Sequence, residues 1–208
     1  MTLRRVVLLR HGQTDYNVAG RMQGHIDSQL TEEGREQALR AAPVLGAMPF
    51  DRIVSSDLAR AVDTANTIAD VLGLPVKLDP RLRETHLGEW QGRRVDEVEV
   101  DYPGQIAEWR GDPRWTPPGG ESRVDVVRRS LPVVEEIDAD LADEPGAQSL
   151  LIVAHGGMIG GMVSGLLDLP EDVWPIIGGM GNCKWAVVAR RADHPRWRLS
   201  GYNIGVTT

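Results

Sequence analysis

The chain is poor in cysteine, and this scarcity restricts its covalent chemistry. Its 208 residues include one cysteine, Cys183. A single thiol cannot form an internal disulfide or a thiolate cluster around a metal ion. Because chains without disulfides are typical of reducing compartments, we predict a cytoplasmic protein.

Long hydrophobic runs are absent as well. The longest apolar segments are short ones such as Val6–Leu9 and Leu150–Ala154, whereas a membrane helix needs about 20 apolar residues. Arg4 and Arg5 resemble the start of a secretion signal, but the apolar stretch behind them ends at Arg10, which is too soon for a signal peptide. We therefore expect no membrane partner.

Basic residues are fewer than acidic ones. The chain carries 30 acidic and 23 basic side chains, with a net charge of −7. This balance argues against general nucleic-acid binding but allows a local basic pocket. With 41% hydrophobic and 25% charged residues, the composition is typical of a soluble globular protein. The length suits one hydrophobic core, so we predict a single domain over residues 1–208.

Short apolar runs alternate with helical patterns along the sequence. The predicted strands are Val6–Leu9, Ile53–Val54, Val76–Leu78, Leu150–Val153, Lys184–Ala189 and Arg196–Ser200. Helices are predicted from Thr31 to about Ala47, from Asp57 to Gly73, from Ser122 with Asp125 in its capping box, and over Gly156–Leu167. This alternation predicts an α/β three-layer sandwich with a mostly parallel central sheet, helices on both faces and an edge hairpin at the end.

The segment between residues 81 and 120 is irregular and rich in glycine, proline and tryptophan. Within it we expect short helices around Val95–Val100 and Gln105–Trp109. A connection of this length in a compact domain usually forms a lid or a wall of a functional site.

Chemically active side chains follow the predicted strands. In open α/β sheets, ligands bind beyond the carboxyl ends of the strands. The residues at those ends are Arg10-His11-Gly12, Asp57 with Arg60, Arg83-Glu84 and His155-Gly156-Gly157. We expect the histidines, two or three of the arginines and the carboxylate to converge at one edge of the sheet. The backbone amides around Gly12 and Gly156 are expected to face a bound anion.

This set of residues favours phosphoryl transfer without a metal ion. Arg10 and Arg60 can hold phosphate oxygens through bidentate contacts. A neutral His11 is a competent nucleophile near neutral pH, and a covalent phosphohistidine divides one difficult displacement into two easier ones. Glu84 is placed to protonate the leaving alkoxide.

Each of these residues also has a purely structural interpretation, and the residue pattern leaves both open. A histidine after a strand is often a hydrogen-bonded loop residue. Arg60 can instead be a solvated helix residue or an ion-pair partner of Asp57 or Asp63. Acids are abundant in the chain, so the role of Glu84 depends almost wholly on its position.

The segment Leu9-Arg10-His11-Gly12-Gln13-Thr14 resembles the histidine phosphatase superfamily, which has the phosphoglycerate mutase-like fold. The resemblance continues in order through almost the whole chain. The further matching positions are Asn17, Gln23-Gly24, Leu30-Thr31, Gly34, Ser55-Ser56, Arg60-Ala61, Thr64, Leu82-Arg83-Glu84, Gly88, Trp90, Gly92, Gly120-Glu121-Ser122 and His155-Gly156-Gly157.

The resemblance implies roles for the matching residues. His11 would be the phosphorylated nucleophile and Glu84 the proton donor. The phosphate pocket would consist of Arg10, Asn17, Arg60 and His155, with Gln23 and Gly24 beside it. Asn17 and Gln23 enter the prediction through this resemblance alone. No cofactor is implied, and because relatives are often dimers, we expect a homodimer.

Residues 83–92, 119–126 and 178–182 are similar to a narrower group, the glucosyl-3-phosphoglycerate phosphatases. This similarity implies that the partner is a phosphorylated small molecule, a glucosyl-linked 3-phosphoglycerate. The product would be glucosylglycerate, a compatible solute and a precursor of methylglucose polysaccharide.

Other functions remain open from the sequence. A broad-specificity phosphatase would share the same residues. A phosphoglycerate mutase must shield its phosphohistidine from water, and because the glycolytic members of the superfamily are longer, with extra loops and a tail, we favour hydrolysis. An inactive phosphate-binding module would have no evident need for both His11 and Glu84. A metal-dependent phosphatase conflicts with the lack of an Asp-rich or His-x-His cluster in the sequence.

Overall fold

The computed structural model describes residues 3–146, 148–191 and 193–206, and a six-stranded sheet organises them. Its strands are β1 (Leu3–Arg10), β2 (Arg52–Ser55), β3 (Val76–Leu78), β4 (Gln148–Ala154), β5 (Trp185–Ala189) and β6 (Arg198–Ile204). The strand order is β3-β2-β4-β1-β5-β6. The pairs among β1 to β4 are parallel, whereas β5 is antiparallel to β1 and β6 is antiparallel to β5. This confirms the mostly parallel sheet and its edge hairpin.

The helices lie where the periodic patterns predict them, with four short additions. They are α1 (Asp15–Val18), α2 (Glu32–Gly46), α3 (Ala59–Leu72), α4 (Val95–Asp101), α5 (Gln105–Gly111), α6 (Arg123–Asp140) and α7 (Gly156–Leu166), with short 3₁₀ segments at Pro80–Leu82, Gly88–Trp90 and Glu171–Ile176. The additions are α1 and the three 3₁₀ segments, which the sequence does not predict because 3 to 6 residues are too few to show a helical period. None of the helices in the described part of the chain is long and apolar enough to cross a membrane.

The alternation of side chains in β1 divides the core into two layers. Val6 and Leu8 pack with α6 and α7 on one face of the sheet. Val7 and Leu9 pack with α2 and α3 on the opposite face. Because successive strand residues point to opposite faces, burial at consecutive positions requires helices on both sides. The three-layer α/β sandwich is therefore confirmed.

The start of α3 differs from the prediction. Asp57 is expected to open this helix, but α3 begins at Ala59 with Leu58 before it. The Asp57 carboxylate instead accepts two hydrogen bonds from Arg83, at 2.7 and 2.6 Å. The Ala59 amide donates to Asp27 Oδ1 at 2.7 Å. An acid from a loop distant in sequence therefore replaces the expected local cap.

The start of α6 follows the predicted capping chemistry. Ser122 Oγ accepts a hydrogen bond from the Asp125 amide at 3.1 Å, and Asp125 Oδ2 accepts one from the Ser122 amide at 3.1 Å. This reciprocal pair satisfies amides that the first helical turn leaves free. It also fixes the position of Arg123, the first residue of the helix.

The irregular segment between β3 and α6 has a small core of its own. Trp90 is fully buried and packs with Leu87, Val98 and Ile106. The rings of Trp90 and Trp115 stack with centroids 5.2 Å apart. This cluster holds the segment as a wall beside the carboxyl ends of the strands.

Candidate active site

His11 directly follows β1, where its amide donates to the Ala154 carbonyl at 3.0 Å. The side chain is 2% exposed. Its Nδ1 lies 2.7 Å from the Gly12 carbonyl oxygen. A carbonyl oxygen can only accept, so Nδ1 carries the hydrogen and Nε2 of the neutral ring carries a free lone pair. The geometry thus presents Nε2 as a nucleophile.

The surroundings of both strand-end histidines favour the neutral form. Burial, assisted by the neighbouring cations Arg10 and Arg60, holds the pKa of His11 well below its usual value. Burial and the Arg60 charge likewise hold the pKa of His155 well below its usual value. The two rings lie with centroids 5.1 Å apart. Two imidazoles that stay neutral can share so small a space without repulsion.

The lowered pKa of His11 predicts an absent titration step. A group with a depressed pKa binds its proton only at lower pH, so His11 should stay neutral as the pH falls through its ordinary value of 6.5. We expect the ¹⁵N shifts of its imidazole to stay constant between about pH 8 and about pH 6. The signals that disappear in the His11→Ala variant are assigned to the His11 imidazole. A midpoint near the ordinary value would contradict this electrostatic picture.

His155 follows β4 and is fully buried. Its Nε2 contacts Ser56 Oγ at 2.9 Å, and Ser56 follows the neighbouring strand β2. Its Nδ1 is buried and has no hydrogen-bond partner among residues 3–146, 148–191 and 193–206. When the Ser56 hydroxyl donates to Nε2, Nδ1 carries the hydrogen and becomes a donor for an anion.

Arg60 is fully buried and is held by backbone carbonyls instead of acids. Its two terminal nitrogens donate to Ile26 O and Gly24 O, each at 2.8 Å. The alternative pairing with Asp57 or Asp63 is therefore wrong. Burial lowers the pKa of Arg60 to about 10, so the guanidinium keeps its charge near neutral pH.

Several buried donors have no acceptor among the residues that the structure describes, and they point to an anion site. One terminal nitrogen of Arg10 donates a hydrogen bond to the Met180 carbonyl. Within the described residues, however, Arg10 Nε and Arg60 Nε are buried without a partner, as is His155 Nδ1. A buried polar group left without a hydrogen bond costs about 1–3 kcal/mol. A phosphate, with several acceptor oxygens and negative charge, is the kind of ligand that removes this cost.

The amides of Asn17 and Gln23 are oriented by their neighbours. Asn17 Oδ1 accepts hydrogen bonds from Thr14 N and Thr14 Oγ1 at 3.1 Å and from Asn182 Nδ2 at 3.0 Å. Gln23 Oε1 accepts one from Ser28 Oγ. Because both oxygens are occupied, each side chain has its NH₂ group left for the cavity that both residues line.

Glu84 lies at the N-terminus of α7. Its Oε1 accepts from the Thr85 amide at 2.8 Å and the Met158 amide at 2.9 Å, and its Oε2 accepts from the Gly157 amide at 2.9 Å. A Cβ on Gly157 would lie 2.7 Å from Glu84 Oε1, so glycine permits this approach. The sequence prediction that these amides face the phosphate needs correction, because a carboxylate of the chain occupies them.

The backbone of Glu84 is held from two sides. His25 Nε2 lies 2.7 Å from the Glu84 carbonyl oxygen and donates to it. A terminal nitrogen of Arg129 donates to the same oxygen at 2.9 Å. The sequence pattern indicates no role for His25 or Arg129. Because Gly24 and Ile26 accept from Arg60, the segment from residue 24 to 26 contacts both Arg60 and Glu84.

Gly12 and Arg83 do not play the parts that the sequence suggests. The Gly12 amide donates to Thr64 Oγ1 at 3.1 Å, so it does not face an anion. A Cβ at Gly12 would collide with the Gly34 carbonyl, which makes this glycine necessary for packing. Arg83 is bound to Asp57, as described above, and does not line the cavity beside His11.

Two adjoining cavities open at this edge of the sheet. The first, which we call the inner cavity, has a volume of about 220 Å³. Its lining includes seven of the nine predicted site residues: Arg10, His11, Asn17, Gln23, Gly24, Arg60 and Glu84. The second, which we call the outer cavity, has a volume of about 510 Å³ and includes Gly156. Arg10, Glu84, Trp109 and Gly157 line both cavities, so the two are continuous.

The outer cavity contains residues that sequence analysis misses. Arg123, Trp109 and Met180 line it, and none of them follows a parallel strand. The sequence contains two clues: Arg123 stands directly after the predicted helix cap Ser122, and Arg123 and Met180 lie in the segments 119–126 and 178–182 that are similar to the narrower phosphatase group. Neither clue assigns a role to these residues. Which helix face meets the cavity is decided by the packing of α6 against α7.

Comparison with known proteins places this site in a family. The family model of the histidine phosphatase superfamily (branch 1) matches residues 6–204. A glucosyl-3-phosphoglycerate phosphatase of Mycolicibacterium vanbaalenii is 51% identical, over 98% of this chain and 96% of the relative. A probable phosphoglycerate mutase GpmB of Erwinia tasmaniensis is 35% identical, over 96% of this chain and 90% of the relative.

Solved structures agree with this result. A mycobacterial glucosyl-3-phosphoglycerate phosphatase in complex with VO3 is 50% identical and superimposes with a TM-score of 0.92, over 96% of this chain and 99% of that chain. Bacillus stearothermophilus YhfR is 31% identical with a TM-score of 0.85, over 98% of both chains. Because the family model and relatives of this identity cover nearly the full length, the chain belongs to the histidine phosphatase superfamily.

Proposed function

We propose that the chain hydrolyses glucosyl-3-phosphoglycerate to glucosylglycerate and phosphate, with His11 as the nucleophile. The observation that supports this chemistry is the neutral, buried imidazole of His11, whose Nε2 has a free lone pair. In the same site, three buried donors from Arg10, Arg60 and His155 lack a partner in the described residues. The substrate is supported by relatives of that name at about half identity over nearly the whole chain.

In the first step, the phosphate of the ester lies in the inner cavity. The nitrogens Arg10 Nε, Arg60 Nε and His155 Nδ1 donate to its oxygens and neutralise developing charge. His11 Nε2 attacks phosphorus, and the bond from phosphorus to the ester oxygen breaks. Glu84, in its protonated form, gives its proton to the leaving alkoxide.

In the second step, a water molecule replaces the alcohol. The Glu84 carboxylate takes a proton from this water as its oxygen attacks phosphorus. The bond between phosphorus and Nε2 breaks, and its electron pair returns to His11. The hydrogen bond from Nδ1 to the Gly12 carbonyl stabilises the positive charge that the ring carries while phosphorylated.

A phosphate-release screen tests the substrate. The panel contains glucosyl-3-phosphoglycerate, its mannosyl analogue, the phosphoglycerates and common sugar phosphates. We expect kcat/KM for the glucosyl compound to exceed that for each of the others by at least about tenfold, a typical discrimination for one changed group. A flat profile would reduce the proposal to a broad-specificity phosphatase.

The 3-phosphoglycerate samples of this screen also test the mutase alternative, which is suggested by relatives named as probable phosphoglycerate mutases. We expect 3-phosphoglycerate to give free phosphate with little isomer. Efficient isomerisation without phosphate release would overturn the hydrolase assignment.

We also propose the domain organisation, the cellular location and the oligomeric state. A single domain over residues 1–208, a cytoplasmic location and a homodimer stay predictions. The one sheet that runs through the described ranges supports the first. The exposed edge strand β6 is compatible with the third, since an unpaired edge can accept a second strand.

A further inference from the structure

Arg123 is a partly buried cation at the first position of α6. Its side chain lines the outer cavity, and no hydrogen bond or ion pair connects it to an acceptor in the described part of the chain. Its stem packs on α7, where a Cβ at Gly161 would lie 3.5 Å from Arg123 Cγ. Burial lowers the pKa of Arg123, and the nearby Glu84 charge opposes this effect.

Neighbouring arginines on the same helix are paired. Arg128 contacts Asp125 at 2.9 Å, and Arg129 contacts Glu121 at 2.8 Å. Glu84, the acid that attracts Arg123, already accepts three backbone amides. Arg123 is therefore held in a partly desolvated position beside the site, while no carboxylate within the described ranges forms an ion pair with its guanidinium.

The position of Arg123 defines what it can bind. The inner cavity supplies Arg10 and Arg60 for the phosphate, and the outer cavity is continuous with it. Arg123 thus lies along the path of whatever extends from the phosphate ester. A guanidinium fork matches a carboxylate in shape and charge, more closely than it matches a hydroxyl.

We propose that Arg123 is a specificity-determining residue that binds the carboxylate of the substrate's glycerate part. This inference rests on the proposed function, because the reaction assigned there has a substrate with both a phosphate and a carboxylate. Arg123 would thereby make the protein bind phosphorylated carboxylic acids more tightly than phosphate esters of the same length that have no acid group.

Paired inhibitors test the inference. Hydrolysis of p-nitrophenyl phosphate is measured with D-3-phosphoglycerate or sn-glycerol 1-phosphate as competitor. The two differ only in a carboxylate against a hydroxymethyl group. In Arg123→Met we expect the inhibition constant for 3-phosphoglycerate to rise about 50-fold relative to that for sn-glycerol 1-phosphate, as for the loss of a charge-assisted hydrogen bond. The loss on glucosyl-3-phosphoglycerate should appear mainly in KM.

Two further variants control this experiment. Arg123→Lys keeps the charge and the stem but loses the fork, so we expect an intermediate change of about tenfold. Arg128→Met removes an exposed arginine of the same helix, and the ratio of the two inhibition constants should stay at the wild-type value. Thermal unfolding monitored by circular dichroism verifies that each variant is folded.

The outcomes separate this inference from the proposed function. If Arg123→Met raises both inhibition constants equally, or Arg123→Lys leaves their ratio at the wild-type value, the carboxylate assignment is wrong. If wild-type protein does not hydrolyse glucosyl-3-phosphoglycerate, the proposed substrate is wrong, while the inhibitor ratio still measures whether Arg123 recognises a carboxylate.

Discussion

Replacing His11 with alanine should reduce kcat by about 10⁴-fold or more, because the variant has no nucleophile at the end of β1. Arg10, Arg60 and His155 would remain, so phosphate binding should persist while turnover is lost. Phosphate release measures the loss of turnover, and titration calorimetry with inorganic phosphate compares the dissociation constants of the variant and the wild type. The matched control is His194→Ala, which removes a partly exposed histidine whose Nδ1 accepts from the Arg196 amide.

The covalent intermediate gives a second measurement. Wild-type protein mixed with substrate and quenched in base should carry one phosphate, which mass spectrometry assigns to His11. A phosphohistidine survives base and is lost in acid, unlike an ester on serine. Retained activity in His11→Ala, or a phosphate on another residue, would remove the mechanism. Tight phosphate binding by a wild-type protein that turns over no ester would instead favour the inactive binding module.

Glu84→Gln should slow the transfer of phosphate from an alkyl ester to His11 by about 10³-fold, since an alkoxide leaves poorly without a proton. A p-nitrophenolate leaves well unaided, so its burst phase should slow by about tenfold or less. Rapid-quench measurements of both burst rates give the comparison. Glu89→Gln, which alters an exposed acid in the same wall segment, should leave both bursts at the wild-type rate.

Equal losses on the two leaving groups would contradict general acid catalysis. They would instead indicate that Glu84 acts through structure, because its carboxylate accepts the Gly157 and Met158 amides. A glutamine places an NH₂ group against one of these donors. The difference between the two esters is therefore the informative quantity, and the absolute loss is not.

The strand ends explain why much of the site could be predicted. His11 and His155 follow β1 and β4, which are adjacent parallel strands, so their meeting follows from topology alone. Glu84 could be placed at the same edge but not oriented. Its carboxylate contacts are made with α7, which is more than 70 residues away along the chain.

Residues outside the strand ends needed other information. Asn17 entered the prediction through the family motif, because α1 is too short to show a pattern. Arg123 was missed because it reaches the outer cavity through the packing of α6 on α7. Local preference predicts that Asp57 opens α3, whereas its pairing with Arg83 is a tertiary contact that overrides such preferences. The errors therefore concern contacts between segments distant in the sequence.

The segment from residue 24 to 26 connects Arg60, which is proposed to bind the phosphate, with Glu84, which is proposed to protonate the leaving group. Its outer carbonyls hold the Arg60 guanidinium and its central imidazole holds the Glu84 backbone. A displacement of these three residues would therefore disturb both the guanidinium proposed to bind the phosphate and the backbone of the proposed proton donor. We expect substitutions that alter this segment to change phosphate binding and proton transfer together.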